Sequence, residues 1–442
     1  MAASQYGNLV SVVGVFTLTV VLYWVQKTLR LALDKNLRKI PGPLLSRFTN
    51  VPLKIAVLSG GRTKYIHSLH QQYGSIVRIA PFEVHVSDID SARQIHRVGT
   101  QFTKSAWYQN QSPVQYDDDT CGVFGLRGLE KAKARRKLFQ QAGTRAAVKE
   151  WEPIIVDIVI RAVGKIKRDA SEGTADLVKW WSMMTADVLG SLAFGEPFNL
   201  VKNERKTQMM KDIETSMVFI GVRTELPWLW ALVCNLPLPG IGRPQAFFER
   251  FYEYGDRAVQ NTKNAVKGSA RTLFSKMYPE DGSQMIPDWL IASESANIII
   301  AGSDTTAMAL TYLVYRVLKE PAIKRKLLDE LATCTDHPCW EELEGKQYLN
   351  NVIQETLRLH APVCSSLTRN APKGGATLAG YHVPEDTVVG TQAYTYHRDP
   401  AVWPEPERYV RDTLVSLRSK GPGGTILAIS TLICSNIMNR GS

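Results

Sequence analysis

The sequence predicts a mostly helical α+β fold carried on one N-terminal transmembrane helix, and three observations predict it. The first 26 residues hold no charged side chain, and Leu9–Val25 is an apolar run of 17 residues, at the short end of what crosses a bilayer. From Pro287 to Lys319 no internal proline or paired glycine breaks a 33-residue apolar helical pattern, which would run roughly 50 Å. Short β-like runs appear at Ser75–Ser87 and again between Ala376 and Gly390. The 442 residues leave room for two or three average domains or one large core, and 44% hydrophobic content supports a sizeable one.

Charge and cysteine usage narrow the function class. A net charge of +11 and a pI near 9.2 suit an acidic partner or an anionic surface. No zinc-finger spacing, RNA-binding signature or basic heptad accompanies that charge, so nucleic acid is not the expected partner. The six cysteines (121, 234, 334, 339, 364 and 434) show no disulfide-framework spacing, which suits a reducing compartment. Cys334 and Cys339 are spaced like one half of a zinc site, but no second ligand pair follows.

Taken in order, the chain begins with the anchor. Tyr23 and Trp24 stand where an interfacial aromatic belt would be, and Lys27, Arg30, Lys35, Arg38 and Lys39 follow, which places the C-terminal side in the cytoplasm. A cleaved signal peptide would need a basic start and a small-residue cleavage site, and neither is present. Ile40-Pro41-Gly42-Pro43 is a rigid hinge. Ser75–Ser87 alternates apolar and polar residues and reads as a β-hairpin turned at Ala80-Pro81-Phe82. Lys104 to Gly125 is polar, with an acidic run at Asp117–Asp119. Lys131–Arg145 is a basic helix, whose charges would ordinarily be a solvated face.

Helical periodicity continues through Trp151–Arg168 and Ala175–Phe194, the latter stopped by Gly195 and Pro197. Thr207–Phe248 carries Met209, Met210, Met217, Trp228, Trp230 and a Leu236-Pro237-Leu238-Pro239 run. Such stripes are often core, but a Trp/Pro-rich loop resists burial. A helix starts at Pro321, another covers Leu343–Leu359, and short β-like runs follow.

Two constellations carry the chemistry. In Ala301-Gly302-Ser303-Asp304-Thr305-Thr306, Ala301, Gly302 and Thr305 share one helix face. Gly302 permits close approach of something large, Thr305 brings a hydroxyl, and Asp304 adds a carboxylate; a kinked core helix is the plainer alternative. Glu355 and Arg358 are three apart on a helix that Pro362 must end, a pattern that alone is usually a surface ion pair. Here it lies 51 residues after Asp304 (355 − 304) and is followed by Leu367-Thr368-Arg369, Gly380–Pro384 and His397-Arg398-Asp399-Pro400.

That ordered set resembles the cytochrome P-450 family of haem-thiolate monooxygenases, most closely the microsomal enzymes of fungal secondary metabolism. The resemblance runs from the anchor to about Tyr409. It implies the cytochrome P-450 fold, haem b as cofactor, a lipophilic small-molecule substrate, an NADPH-dependent reductase, and a single-pass endoplasmic reticulum membrane protein with a cytoplasmic catalytic domain. It further implies Thr305 and Asp304 as the catalytic proton relay, and Ala301 and Gly302 against the cofactor. Arg136 or Arg135 would meet a haem propionate, the register being ambiguous by one residue, with Arg369 as a further cofactor contact. Glu355 and Arg358 would form a buried structural ion pair, 104–125 the first substrate-contacting loop, and 207–248 a lid near the membrane.

After Tyr409 the resemblance fails. The position of the expected Pro-Glu-Arg-aromatic motif reads Arg411-Asp412-Thr413-Leu414, so the second Arg of the ion-pair triad is missing there. The haem loop Phe-x-x-Gly-x-Arg-x-Cys-x-Gly occurs nowhere. Cys434 lies 79 residues beyond Glu355 (434 − 355), yet Leu427, Ser430, Leu432 and Asn436 occupy the places of Phe, Gly, Arg and Gly. Aligning Asn439–Ser442 with the start of the loop instead puts the cysteine at 445 (441 + 4). The expected organisation is an anchor (1–26), a basic and proline-rich hinge (27–43), an incomplete catalytic domain (44–410) and a divergent tail (411–442), from a truncated gene product or a gene model altered by a frameshift or intron near 411. Three readings remain open: an inactive monooxygenase relative, an active enzyme using Cys434 or a longer C-terminus, and a haem-free membrane-anchored binding or scaffold protein.

Overall fold

The computed structural model describes residues 15–409 apart from 16–17, 20–21, 24, 27, 31, 113–120, 140–144, 236–243, 268–271, 276–286 and 337. The chain divides into two compact units, residues 1–103 with 365–395 and residues 104–364 with 396–442.

In the first unit, helices α1 (Val51–Leu58), α2 (Arg62–Tyr73) and α3 (Ile89–His96) pack with strands β1 (Ile76–Ala80), β2 (Glu83–Val86), β3 (Ser366–Asn370) and β6 (Val388–Gln392). Strands β4 (Ala376–Leu378) and β5 (Tyr381–Val383) pair in a separate hairpin. The hairpin predicted at Ser75–Ser87 forms, with Ile76 opposite Val86 and Arg78 opposite Val84. β2 then pairs in parallel with β6, Glu83 beside Val388, and β3 closes antiparallel on β6, Ser366 beside Gln392.

Alternation predicts strands buried on one face, but β1 is buried along its whole length. Apolar residues cover both sides: Ile76 and Val86 pack with Leu37 and Ile40, while Val77 and Ile79 pack with Leu53 and Ile66. The polar members of the alternation go inside with partners. Arg78 Nη2 donates to the Pro81 carbonyl at 2.6 Å, and His85 Nε2 lies 3.1 Å from a Glu83 carboxylate that Arg62 also holds at 3.0 Å. The proline-rich hinge is stitched to this sheet, the Arg78 amide donating to the Pro41 carbonyl at 2.8 Å. Gly42 is required there, because a Cβ would lie 2.4 Å from the Arg78 carbonyl oxygen.

The expected anchor falls mostly outside the described residues. Those described between Val15 and Ala32 are helical and expose Val15, Leu18, Leu22, Tyr23, Val25 and Leu29. Among the described residues, the single helix long and apolar enough to cross a membrane is Asp288–Lys319.

The second unit is helical: α4 (Leu129–Phe139), α5 (Arg145–Ser171), α6 (Leu177–Leu189), α7 (Gln208–Glu225), α8 (Pro227–Asn235), α9 (Pro244–Lys267), α10 (Asp288–Lys319), α11 (Pro321–Leu331) and α12 (Gln347–Leu359). α6 passes into a π-helical turn at Gly190–Phe194, and Gly195 stops it at φ 75°. α10 is the predicted long helix. Every residue from Leu290 to Ala296 is buried, Ser293, Glu294 and Ser295 included, and α6 and α9 are the helices packed most extensively along α10. Gly255 of α9 lets the backbones approach, since a Cβ there would sit 2.8 Å from Ala292 Cβ. In the stretch read as a lid, Met209, Met210 and Ile220 turn into the core, whereas Trp228 is 66% exposed.

Arg358 of α12 fixes the path of the chain from 397 to 408. Its Nε and Nη2 hold Glu355 at 2.8 and 2.7 Å; Nη1 reaches the His397 and Pro406 carbonyls, both at 2.8 Å, and Nη2 also reaches the Arg408 carbonyl at 2.9 Å. All five guanidinium donors are thereby engaged, with the Trp403 ring 4.6 Å from the guanidinium carbon. Removing a buried partner leaves the other charge uncompensated, at a cost of about 3–5 kcal/mol. Arg358→Ala is therefore expected to lower stability by that order in denaturant titration. Arg358→Lys should recover little of it, because three ammonium donors cannot serve five acceptor contacts.

Candidate active site

The centre of α10 divides its side chains between packing and an open face. Ser303 is buried, with its hydroxyl on the Ile299 carbonyl at 2.6 Å, and its own carbonyl accepts from Thr185 of α6 at 2.9 Å. Gly302 also meets α6: a Cβ at this position would come within 2.8 Å of Leu189 Cδ1. The close approach that this glycine allows is therefore helix against helix. Ala301 and Thr306 are exposed midway along the helix, and the Thr305 hydroxyl donates to the Ala301 carbonyl at 2.6 Å. Asp304 is half-buried. Burial raises its pKa above the ordinary carboxylate value; Glu214 adds to that and Lys206, paired with Glu214, opposes it.

The two adjacent arginines of α4 separate. Arg136 is exposed and its Nε bonds the Ala132 carbonyl of its own helix at 3.1 Å. Arg135 is half-buried: Nη1 donates to the Cys121 carbonyl at 2.5 Å, and the guanidinium carbon lies 5.0 Å from the Trp289 ring centre. Arg135 is thus the one turned towards α10. Arg369 belongs to the first unit, on β3, where Nη1 bonds the Thr368 carbonyl at 2.9 Å. There its charge, after burial, helps depress the pKa of His96 to about 3.

Sequence reasoning missed Glu294. It lies seven residues before Ala301, two helical turns along the same face, and is fully surrounded. Its Oε1 accepts the Val123 amide at 2.5 Å. Burial drives its pKa up to about 7, against the pull of the Val123 amide, Arg135 and Lys104. A lone acid inside an apolar helical run was the available signal.

The positions of the missing motifs, Arg411–Leu414 and Cys434, lie outside the described residues. The described cysteines (121, 234, 334, 339 and 364) form no disulfide, and no described group of His, Cys, Asp or Glu side chains is arranged to hold a metal ion. Burial pushes the Cys121 thiol up, away from the thiolate form.

Comparison with known proteins points to one family. A profile of the family described as Cytochrome P-450 matches residues 40–412. The chain is 34% identical over 401 residues to cytochrome P-450 monooxygenase stcB of Emericella nidulans, covering 87% of this chain and 74% of that protein. Cytochrome P-450 monooxygenase aflV of Aspergillus parasiticus is 34% identical, over 87% of this chain and 77% of its own. Methylphloroacetophenone oxidase of Cladonia uncialis is 30% identical, over 86% of each.

The Gly302–Leu189 contact gives a direct test of the site's packing. Gly302→Val should cost about 1–3 kcal/mol of stability as the two helices are forced apart. In the double variant with Leu189→Ala, the loss should be smaller than the sum of the two single losses. Strict additivity in unfolding measurements would mean that the two residues do not touch.

Proposed function

Since the chain belongs to the cytochrome P-450 family, we propose that its scaffold serves oxidation of a lipophilic small molecule in fungal secondary metabolism, on the cytoplasmic face of the endoplasmic reticulum membrane. The observation that carries this reading is the centre of α10, where a hydroxyl, a half-buried acid and exposed small residues stand on an otherwise packed helix. The names of the relatives support it, since all are fungal oxidases or monooxygenases. Residues 1–26 anchor the chain, 27–43 form the hinge, 44–410 the catalytic domain and 411–442 the tail. A basic exterior suits an acidic NADPH-dependent reductase.

Haem is the family's cofactor, and this chain's residues fit it on one side only. On the α10 side, Ala301 leaves a shallow exposed spot one turn from Thr305, and Arg135 offers a guanidinium suited to a propionate, with Arg136 of the same helix as a lesser candidate; Arg369, the other arginine the resemblance implies, belongs to the first unit. When held by a cysteine thiolate, haem activates dioxygen for oxidation of a bound substrate. Thr305 would hold a proton at Oγ1, which must turn from the Ala301 carbonyl to deliver it. Asp304, its pKa raised by burial, would replenish that proton. On the ligand side the described residues do not fit, for none of their cysteines lies in the glycine- and arginine-bearing loop that would present one to haem.

In this reading the 442-residue chain by itself does not assemble a haem-thiolate centre. Its support is the sequence around Cys434, Thr431-Leu432-Ile433-Cys434-Ser435-Asn436, which has no glycine between Gly424 and Gly441 and no arginine nearer than Arg440. Reduced protein exposed to carbon monoxide should therefore show no red-shifted band of the thiolate type, and a complete haem loop grafted after Tyr409 should produce one. A band in the unmodified chain that disappears in Cys434→Ser would overturn this and establish an active enzyme. Deleting residues 1–26 should move the protein from the membrane pellet to the supernatant on fractionation. Retention in the pellet without aggregation would assign the anchor elsewhere.

A further inference from the structure

The turn Cys121–Phe124 is held from every side by charged groups of the second unit. Arg135 takes the Cys121 carbonyl, and Lys104 Nζ takes the Val123 and Phe124 carbonyls at 2.6 and 2.8 Å. The Gly122 carbonyl closes the turn by accepting the Gly125 and Leu126 amides at 3.0 and 3.1 Å. The Val123 amide is met by Glu294, across 171 residues of sequence. The turn sits hard on α10, because a Cβ on Gly122 would fall 2.2 Å from Asn297 Nδ2 and 3.0 Å from Glu294 Oε2. Ser112 Oγ reaches Asn297 Oδ1 at 3.3 Å, extending the same polar seam.

We propose that Glu294 is a positioning residue that seats the Cys121–Phe124 turn, and through it Arg135, on the α10 face that carries Ala301 and Thr305. Two cations and one carboxyl converge on a turn of four residues, so loss of the carboxyl leaves the Val123 amide and the seat of Gly122 without their partner. The role of Arg135 towards a propionate rests on the reading above, whereas the seating of the turn does not.

The charged and titratable groups facing Glu294 are Lys104, Arg135 and Cys121, the last with its thiol raised by burial. Burial lifts the Glu294 carboxyl from its ordinary 4.5 to about 7, so the seated turn binds a proton more tightly than the released one. Seating is therefore strongest below pH 4.5. It weakens by up to ten-fold per pH unit as pH rises from there to about 7, and is level above that.

Hydrogen exchange of the Val123 amide, followed by mass spectrometry on the full chain from pH 5 to 8 and corrected for intrinsic exchange, tests this without any cofactor. Protection should fall by about 40-fold between pH 5 and 7 and then level off, and Glu294→Gln should flatten the profile. Gly122→Ala should lower protection of the same amide at every pH. An unchanged wild-type profile across the range would overturn the proposal, even where the Gln variant does not fold. The same slope persisting in Glu294→Gln would overturn it too. Failure of the carbon monoxide test leaves this profile untouched, so the two readings fail separately.

Discussion

A single buried guanidinium dictates the course of the last described segment. An isolated charge inside a protein is tolerated only when every donor finds a partner, and Arg358 has five to satisfy. Two go to Glu355 and three to carbonyls of residues 397, 406 and 408, so the backbone has to wrap round the end of α12. Arg398 tightens the wrap by donating to the Leu359 carbonyl at 3.0 Å, and Tyr409 closes it by donating to the Val352 carbonyl at 2.8 Å. Tyr409 then joins Ile323, Val352 and Leu359 in a small apolar cluster against Leu313 and Val317 of α10. Through these contacts a buried ion pair braces the long helix at its C-terminal end.

The same helix shows how packing and chemistry are kept apart. Its closest helix contacts are made at small residues: Ala292 faces Gly255, and Gly302 faces Leu189. Its hydroxyls bond back into the helix, Ser295 to Ile291 at 2.7 Å and Ser303 to Ile299 at 2.6 Å, so polar groups can be buried without outside partners. Arg316 ties the far end to α12 by donating to His360 Nε2 at 2.9 Å, and His360 stacks on Tyr312 with ring centroids 4.2 Å apart. Burial and the nearby arginines hold the pKa of that histidine down at about 4, which keeps it a neutral acceptor.

What could be read from the sequence was whatever depended on local period or on one strong pair. The long helix was legible because its apolar residues recur without a breaker, and its observed start at Asp288 follows the Pro287 that marked it. The hairpin was legible from alternation and Pro81, but its burial on both faces was not, because cover for the second face comes from α1 and α2. Parallel pairing of Glu83 with Val388 leaves no local trace. Nor did the partner of Gly302: a glycine announces that something approaches closely, and only the fold reveals that it is Leu189. Glu294 escaped notice because its meaning resides in a turn far away in sequence. Which of Arg135 and Arg136 turns towards α10 depends on the helix's rotation, which the sequence could not supply.

Thr305 and Arg358 stand in opposite relations to the fold. The Thr305 hydroxyl is satisfied inside its own helix, so a serine or valine there would leave the scaffold standing. Arg358 admits no such exchange. In a lineage that has given up oxygen chemistry, selection for a folded product would still hold residue 358 fixed while residue 305 drifted. Natural variation at those two positions among isolates of one species would therefore record which of the two demands, catalysis or mere persistence of the fold, still acts on the gene.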